Sequence, residues 1–223
     1  MMRIAKFIAS SGICSRRDAE KFIAAGRVKL NGNTVTSPAL NVSKSDKVEV
    51  DGKLVQAQNT RFFAYYKPAG LVVSHSDDKG RETIFDHLPK GLLSVGRLDL
   101  MSEGLLLLTT SGDEQRRLEK GAFERIYRVR VHGRPTPESL APAIKGMTLE
   151  GVRYKPMKIE IESQGATNAW LRIIITEGKN RELRNVLSAL GFPIGRLIRI
   201  SYAGIELGAL GPGEFKELDG IHT

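Results

Sequence analysis

The sequence is poor in the groups that build disulfides, metal sites and membrane spans. Its 223 residues hold one cysteine, Cys14. An internal disulfide framework is therefore excluded, and a reducing cytosol suits the chain. The four histidines (His75, His87, His132, His222) are scattered without ligand spacing. No metal site is expected from them, and a structural zinc needs more cysteines. No apolar run approaches the roughly 18 residues that cross a bilayer, and the start of the chain lacks a long apolar segment of the secretory kind. No repeat or low-complexity tract stands out. Aromatic residues are only 6%, yet hydrophobic residues reach 41%, which is enough for a globular core.

What the chain has in excess is positive charge. The formal net charge is +9, with Lys and Arg spread along most of the length. That balance favours a polyanionic partner, nucleic acid first among them.

Residues 1–53 read as a small separate unit. Ile4, Phe7 and Ile8 recur at helical spacing, and Gly12 can end that helix. Ser15-Arg16-Arg17-Asp18 is a Ser-x-x-Asp helix start. Ala19, Phe22 and Ile23 supply the next apolar face, and Gly26 sits at its end. Val28 and Leu30 alternate as a strand, Asn31-Gly32 is a tight-turn pair, and Val48 with Val50 make another strand. Arg16 and Arg17 occupy a helix first turn, where cations oppose the macrodipole. With Lys21 and Arg27 they form a candidate phosphate-binding cluster. Helix, helix and strand in this order resemble the alpha-L RNA-binding module of ribosomal proteins and RNA-modifying enzymes.

Residues 54–60 are polar and aperiodic and read as a linker. Residues 61–223 form the second unit. Its strand candidates include Phe62–Tyr66, Val72–Val73, Arg125–His132, Lys158–Glu162, Trp170–Thr176 and Leu197–Tyr202. A short helix is expected from Thr83 to Leu88, others around Glu114–Leu118 and over Pro135–Lys145, and one from an Asn180 cap. Many strands with few helices and no regular alternation predict an α+β fold with a mixed, mainly antiparallel sheet.

Two stretches of this unit carry the chemistry. Gly96-Arg97-Leu98-Asp99-Leu100-Met101-Ser102-Glu103-Gly104 links the apolar run Leu92, Leu93, Val95 to Leu105–Leu108. It places a carboxylate, Asp99, in a polar loop between short strands. Taken locally, Asp99 reads first as a turn cap. The second stretch is Glu177-Gly178-Lys179-Asn180-Arg181-Glu182-Leu183-Arg184. It gathers Lys179, Arg181 and Arg184 at a helix start, an arrangement that asks for an anion. Arg184 borders the apolar face, and a partly buried arginine needs a carboxylate such as Asp99. On the strand between these stretches, the period of two points Tyr127, Val129 and Val131 inward.

Taken together these stretches resemble a group of bacterial rRNA pseudouridine synthases. The group holds synthase A, which acts on small-subunit rRNA, and synthases B, E and F, which act on large-subunit rRNA. The matching pieces are Tyr66-Lys67-Pro68-Ala69-Gly70, Gly80-Arg81, Thr83-Ile84-Phe85-Asp86, Gly96-Arg97-Leu98-Asp99, Tyr127, the 177–184 stretch and Arg196-Leu197-Ile198-Arg199. Ala64-Tyr65-Tyr66-Lys67-Pro68 and Asn168-Ala169-Trp170 are most like the synthase B branch. The resemblance implies isomerisation of a flipped-out uridine of 23S rRNA, carried in a stem-loop of a precursor or fragment, by a cytoplasmic monomer without cofactor or metal. It also implies Asp99 as catalytic aspartate, Arg184 as its basic partner, Tyr127 stacked on the uracil and Leu183 packed at the base. Arg97, Lys67, Lys179 and Arg181 fall among its RNA-contacting residues. The competing readings are the same chemistry on 16S rRNA or another 23S site, and a non-catalytic assembly factor that would not need Asp99 matched to Arg184.

Overall fold

The structure, a computed structural model, describes residues 1–43, 45–57 and 59–220. Gln58 of the expected linker and residues 221–223 of the second unit lie outside the described residues.

The N-terminal unit has helices α1 (Ile4–Ser10) and α2 (Arg16–Ala24) and strands β1 (Val28–Leu30), β2 (Asn33–Val35), β3 (Val48–Val50) and β4 (Lys53–Val55). The Ser15 side chain accepts the Asp18 amide at 3.1 Å and so starts α2. The strands form an antiparallel sheet in the order β2-β1-β3-β4. Two of its hairpins turn on Asn31-Gly32 and Asp51-Gly52, with φ of 51°, 86°, 52° and 75°. Positive φ at both central positions matches the strand twist and explains the Asn-Gly and Asp-Gly pairs. Ile4, Ile8, Ile23, Val28 and Val48 close a core of their own. Val55 pairs with Val48 and is buried. Leu54 and Val55, expected in the linker, thus belong to this sheet. Their short apolar run is too brief to show a period of two.

The second unit carries β5 (Phe62–Lys67), β6 (Ser102–Thr109), α3 (Gly112–Lys120), β7 (Arg125–His132), α4 (Pro137–Lys145), β8 (Lys158–Gln164), β9 (Asn168–Ile175), α5 (Glu182–Ala189), β10 (Ile194–Tyr202) and β11 (Phe215–Leu218). They pair in the order β8-β9-β7-β10-β6-β5-β11. Every junction is antiparallel except β10 with β6. The architecture is the expected mixed, mainly antiparallel α+β sheet.

β6 lies deep in this sheet, and Leu105 to Leu108 are all fully buried. Leu106 and Leu108 join the core of Tyr127, Val129, Leu171 and Leu187, whereas Leu105 and Leu107 join Phe62, Leu118 and Tyr202 on the opposite face. A four-leucine run is what a strand covered on both sides requires.

Four local expectations are corrected. Val72–Val73 makes only an isolated bridge to Thr83, not a strand. The Thr83 helix is one 3-10 turn, Ile84–Asp86, in which Thr83 and Asp86 cap each other. Of Leu92, Leu93 and Val95, only Leu93 enters a strand, the two-residue Leu93–Ser94 beside β6. Gly104, which locally resembles the end of the Asp99 loop, sits inside β6.

Candidate active site

A cleft of about 660 Å3 opens where the 96–102 loop, the start of α5 and strands β7 and β10 converge. Asp99, Tyr127, Arg181, Leu183 and Arg184 all line it. Leu98 and Ser102 flank Asp99 as buried anchors. The turn between them closes when the Ser102 amide donates to the Asp99 carbonyl at 2.9 Å.

Beneath this turn lies Lys67, fully buried at the end of β5. Its Nζ donates to the carbonyls of Pro68, Leu100 and Ser102 at 2.8, 3.1 and 2.8 Å. Burial pulls its pKa down to about 8, against the pull of Glu103 and Asp99. The resemblance put Lys67 among RNA contacts, and the structure corrects this. All three ammonium hydrogens are spent inside the protein, where they hold the loop that carries Asp99. The neighbouring Glu103 forms a two-toothed pair with Arg196 at 2.9 Å and accepts the Tyr66 hydroxyl at 3.3 Å. That pair holds the Glu103 carboxyl below the usual carboxylate range.

The expected ion pair is present. Arg184 Nε lies 3.6 Å from Asp99 Oδ2, and Arg181 Nη1 lies 3.8 Å from the same oxygen. Arg184 Nη2 donates to the Met101 carbonyl at 3.1 Å and to Ser102 Oγ at 3.3 Å. Its guanidinium therefore spans the whole turn. Only 15% of its side chain is exposed, and burial lowers its pKa with Asp99 opposing. The arginine stays cationic at neutral pH.

Helix α5 begins differently from expectation. Asn180 is not its cap. Arg181 takes that position with φ 49°, a left-handed conformation uncommon for a bulky residue. In place of an Asn side chain, the Glu182 carboxylate reaches back to the Lys179 amide at 3.0 Å. This backbone twist brings Arg181 to Asp99. Lys179 departs from the expected trio, because its ammonium turns to Glu177 and to the Arg153 carbonyl, both at 2.6 Å.

Glu182 is buried, with Oε1 unpartnered among the described residues. Burial raises its pKa to about 7, the Lys179 amide opposes, and Glu177 beside it raises it further. A carboxyl with a raised folded pKa binds its proton more tightly in the folded state. Its contribution to stability is complete below the ordinary glutamate value of about 4.3 and is lost as pH rises through about 7. Glu182→Gln, which keeps the shape and cannot ionise, is expected to remove this loss. Urea unfolding of both proteins from pH 4.5 to 8 checks it: wild-type stability should fall by a few kcal/mol relative to the variant. Parallel curves would exclude titration of Glu182 in this range.

Tyr127 is buried at 8% exposure within the core of Val129, Ile173 and Leu183. Its hydroxyl makes no hydrogen bond among the described residues, and the ring forms cleft wall. Arg97 is exposed at the mouth.

In the N-terminal unit, Arg16 pairs with Glu20 at 3.4 Å and Lys21 with Asp18 at 3.0 Å. Arg17 is exposed and makes no ion pair among the described residues. Arg27 is already engaged. It forms a two-toothed pair with Asp51 at 2.8 and 2.5 Å and lies over the Phe22 ring. It clasps α2 to the Asp51 turn, which leaves little of its fork for phosphate.

Sequence reasoning missed Arg125 and Arg199, which also line the cleft and are buried. The signal was available: Arg125 is in step with Tyr127 on β7, and Arg199 with Leu197 on β10.

Comparison with known proteins decides what this arrangement belongs to. The profile of the RNA pseudouridylate synthase family matches residues 61–189, more than half of the chain, and that of the S4 domain matches residues 2–48. The chain belongs to the RNA pseudouridine synthase family. The synthase is 43% identical over 224 residues to an uncharacterised RNA pseudouridine synthase, RP544, of Rickettsia prowazekii (strain Madrid E), covering 98% of this chain and 94% of the relative. It is 36% identical over 225 residues to ribosomal large subunit pseudouridine synthase B of Bacillus subtilis (strain 168), covering 98% and 92%. A crystal structure of a pseudouridylate synthase superposes with a TM-score of 0.68 at 28% identity, covering 98% of the synthase and 96% of that chain. The synthase is thus an enzyme with an S4-type RNA-binding unit ahead of its catalytic unit. Among the described residues no helix is long and apolar enough to cross a membrane.

Proposed function

We propose that the synthase converts a uridine of 23S rRNA to pseudouridine in the cytoplasm, with Asp99 as its catalytic carboxylate. The observation that carries this reading is one cleft lined by Asp99, with Arg184 at 3.6 Å, and by the Tyr127 ring. The relatives named for the large ribosomal subunit support the 23S substrate.

The target nucleotide must leave the helix stack to reach such a cleft. Its uracil stacks on Tyr127 and packs against Leu183. The bond from the ribose to nitrogen one breaks, the base turns, and carbon five takes its place. Asp99 works as an anion on the sugar or base, with the Arg184 and Arg181 guanidiniums 3.6 and 3.8 Å from its carboxylate. The Tyr127 hydroxyl is the group we assign to the proton lost from carbon five. Arg97, at the mouth, fills the space the nucleotide vacates in the RNA. The reaction exchanges one carbon–nitrogen and one carbon–hydrogen bond for one carbon–carbon and one nitrogen–hydrogen bond. The proton lost from carbon five is balanced by one gained at nitrogen one. The reaction calls for no cofactor, and the protein acts as a monomer.

Pseudouridine mapping of rRNA from a strain lacking the gene tests the reading. One 23S uridine is expected to lose its modification and to regain it when the gene is restored. An unchanged 23S map would overturn the 23S substrate.

The N-terminal unit supplies affinity. Replacing Arg16, Arg17 and Lys21 together is expected to weaken rRNA binding and to flatten the plot of log affinity against log salt. Each lost phosphate contact removes about 0.7–0.9 from the slope. Filter binding across salt concentrations measures it, and an unchanged slope would mean that these side chains do not touch phosphate.

A further inference from the structure

One wall of the cleft carries charge that the reaction leaves idle. Arg125 on β7 is 9% exposed and Arg199 on β10 is 3% exposed. Arg125 donates Nη1 to the Phe123 carbonyl at 3.0 Å and Nη2 to the Tyr202 hydroxyl at 3.3 Å. Arg199 donates Nε to the Leu105 carbonyl at 2.7 Å, while its Nη2 is buried without a partner. Both guanidiniums rest on the Tyr202 ring, 4.7 and 5.0 Å from its centre. Tyr202 is itself held by its hydroxyl, which donates to the Leu118 carbonyl at 2.8 Å.

Neither arginine has an Asp or Glu within 4.0 Å among the described residues. The acidic residue of this wall, Glu119, is exposed and spends Oε1 on the Gly96 amide at 2.9 Å. Buried cations are ordinarily paired, because a desolvated charge without a counterion is strongly unfavourable. Two such cations lining one cleft mark a place for an anion brought from outside. Arg125 borders the cleft with Gly178 close against it, a Cβ there coming to 3.5 Å from Arg125 Nε.

The backbone explains why the wall is rigid. Strands β6 and β10 pair in parallel only at 102–104 with 197–199. Beyond Gly104 they part, and Arg199 fills the gap by taking the freed Leu105 carbonyl. Both guanidiniums are therefore held from behind by main-chain and tyrosine oxygens, and neither has to be ordered when a ligand arrives.

We propose that Arg125 and Arg199 form a seat for a backbone phosphate of the RNA strand that carries the target uridine. This rests on the reading of the cleft as the uridine site. Guanidinium forks suit phosphate oxygens, and phosphate contacts set register without reading sequence. The uracil enters against Tyr127 and Asp99, and a phosphate flanking it docks beside Tyr127, which pairs with Arg199 across β7 and β10 and shares its face of β7 with Arg125. That contact helps repay the unstacking of the extruded nucleotide.

The test uses an RNA stem-loop containing the modified uridine and a series in which single flanking phosphates are replaced by neutral methylphosphonates. Fluorescence anisotropy reads affinity at fixed salt. With the wild type, neutralising one linkage next to the target uridine is expected to weaken binding about tenfold or more. With Arg125→Gln or Arg199→Gln the same replacement should cost less than about twofold, while distant linkages behave alike in all proteins. Circular dichroism checks that the variants fold, and the wild-type scan stands without them. A wild type that forms pseudouridine yet tolerates every flanking neutral linkage overturns the phosphate seat and leaves the proposed function intact. Equal losses in wild type and folded variants overturn the assignment to these two arginines. A wild type that modifies no rRNA overturns both readings.

Discussion

Asp99→Asn is expected to abolish pseudouridine formation while RNA binding survives. The asparagine keeps the size of the side chain and removes its charge. An amide cannot act as an anion on the ribose or the base, and of the other carboxyls in the cleft lining, Glu182 is buried and accepts the Lys179 amide. Glu103, four residues on, is locked onto Arg196, and Glu119 is engaged by the Gly96 amide. Loss of the central group of a catalytic set costs on the order of 10^4-fold or more in turnover. The fold should persist, because the turn around Asp99 is held by the Lys67 ammonium and by Arg184 on Met101 and Ser102, not by the Asp99 carboxylate. Affinity for RNA should hold or rise slightly, since the change removes a negative charge from a basic cleft. Mass-spectrometric mapping of a rRNA fragment measures the first quantity and anisotropy the second. Turnover above about a hundredth of the wild-type rate would take the catalytic role away from Asp99.

The largest effect on stability is expected at Gly104→Ala. Gly104 has φ +97°, and a Cβ there would sit 2.3 Å from the Arg199 carbonyl oxygen, 2.8 Å from its nitrogen and 2.9 Å from Ile198 Cγ2. Two of these atoms are backbone in the facing strand, so no side-chain rotation relieves the contact. Positive φ costs an alanine about 1–2 kcal/mol, and forcing strands apart adds roughly 1–3 kcal/mol. A total of about 2–5 kcal/mol is a large part of the roughly 5–15 kcal/mol that holds a domain together. For a protein of this size the melting temperature should fall by roughly 10 °C. The damage falls where β6 meets β10, the junction that joins the Asp99 loop to the strand of Arg199, so activity should fall before the protein unfolds. Thermal melting followed by an activity assay on the folded fraction checks both. A variant within about 1 kcal/mol of wild type would show that the two strands can separate freely.

Both predictions turn on residues that are unequally visible in the sequence. Asp99 stands out because glycines and apolar runs frame it. Gly104 resembles the end of a loop, since nothing local shows that a strand 95 positions later presses against it. Lys67 is misread for a related reason. A lysine after an aromatic strand and before Pro68 reads as surface charge. Only the fold shows the Leu100 and Ser102 carbonyls turned inward to meet it. Arg125 and Arg199 carry the period-two signal that marks Tyr127, but an arginine in step with valines is easily taken for a strand-end charge.

The sequence by itself determined the strands and helices with strong periods, the Asn-Gly turn, the two units and the pairing of Asp99 with an arginine about 80 residues away. These follow from local preferences, or from the need of a half-buried cation for an anion. The tertiary structure alone decided which cations reach Asp99. Lys179, Arg181 and Arg184 share one stretch, yet the left-handed backbone at Arg181 brings two of them to Asp99, and Glu177 draws the ammonium of the third aside. It also decided the burial of Lys67, Arg125 and Arg199. Burial depends on which distant strands close over a residue, and in this sheet the order β10-β6-β5 joins segments that lie far apart along the chain.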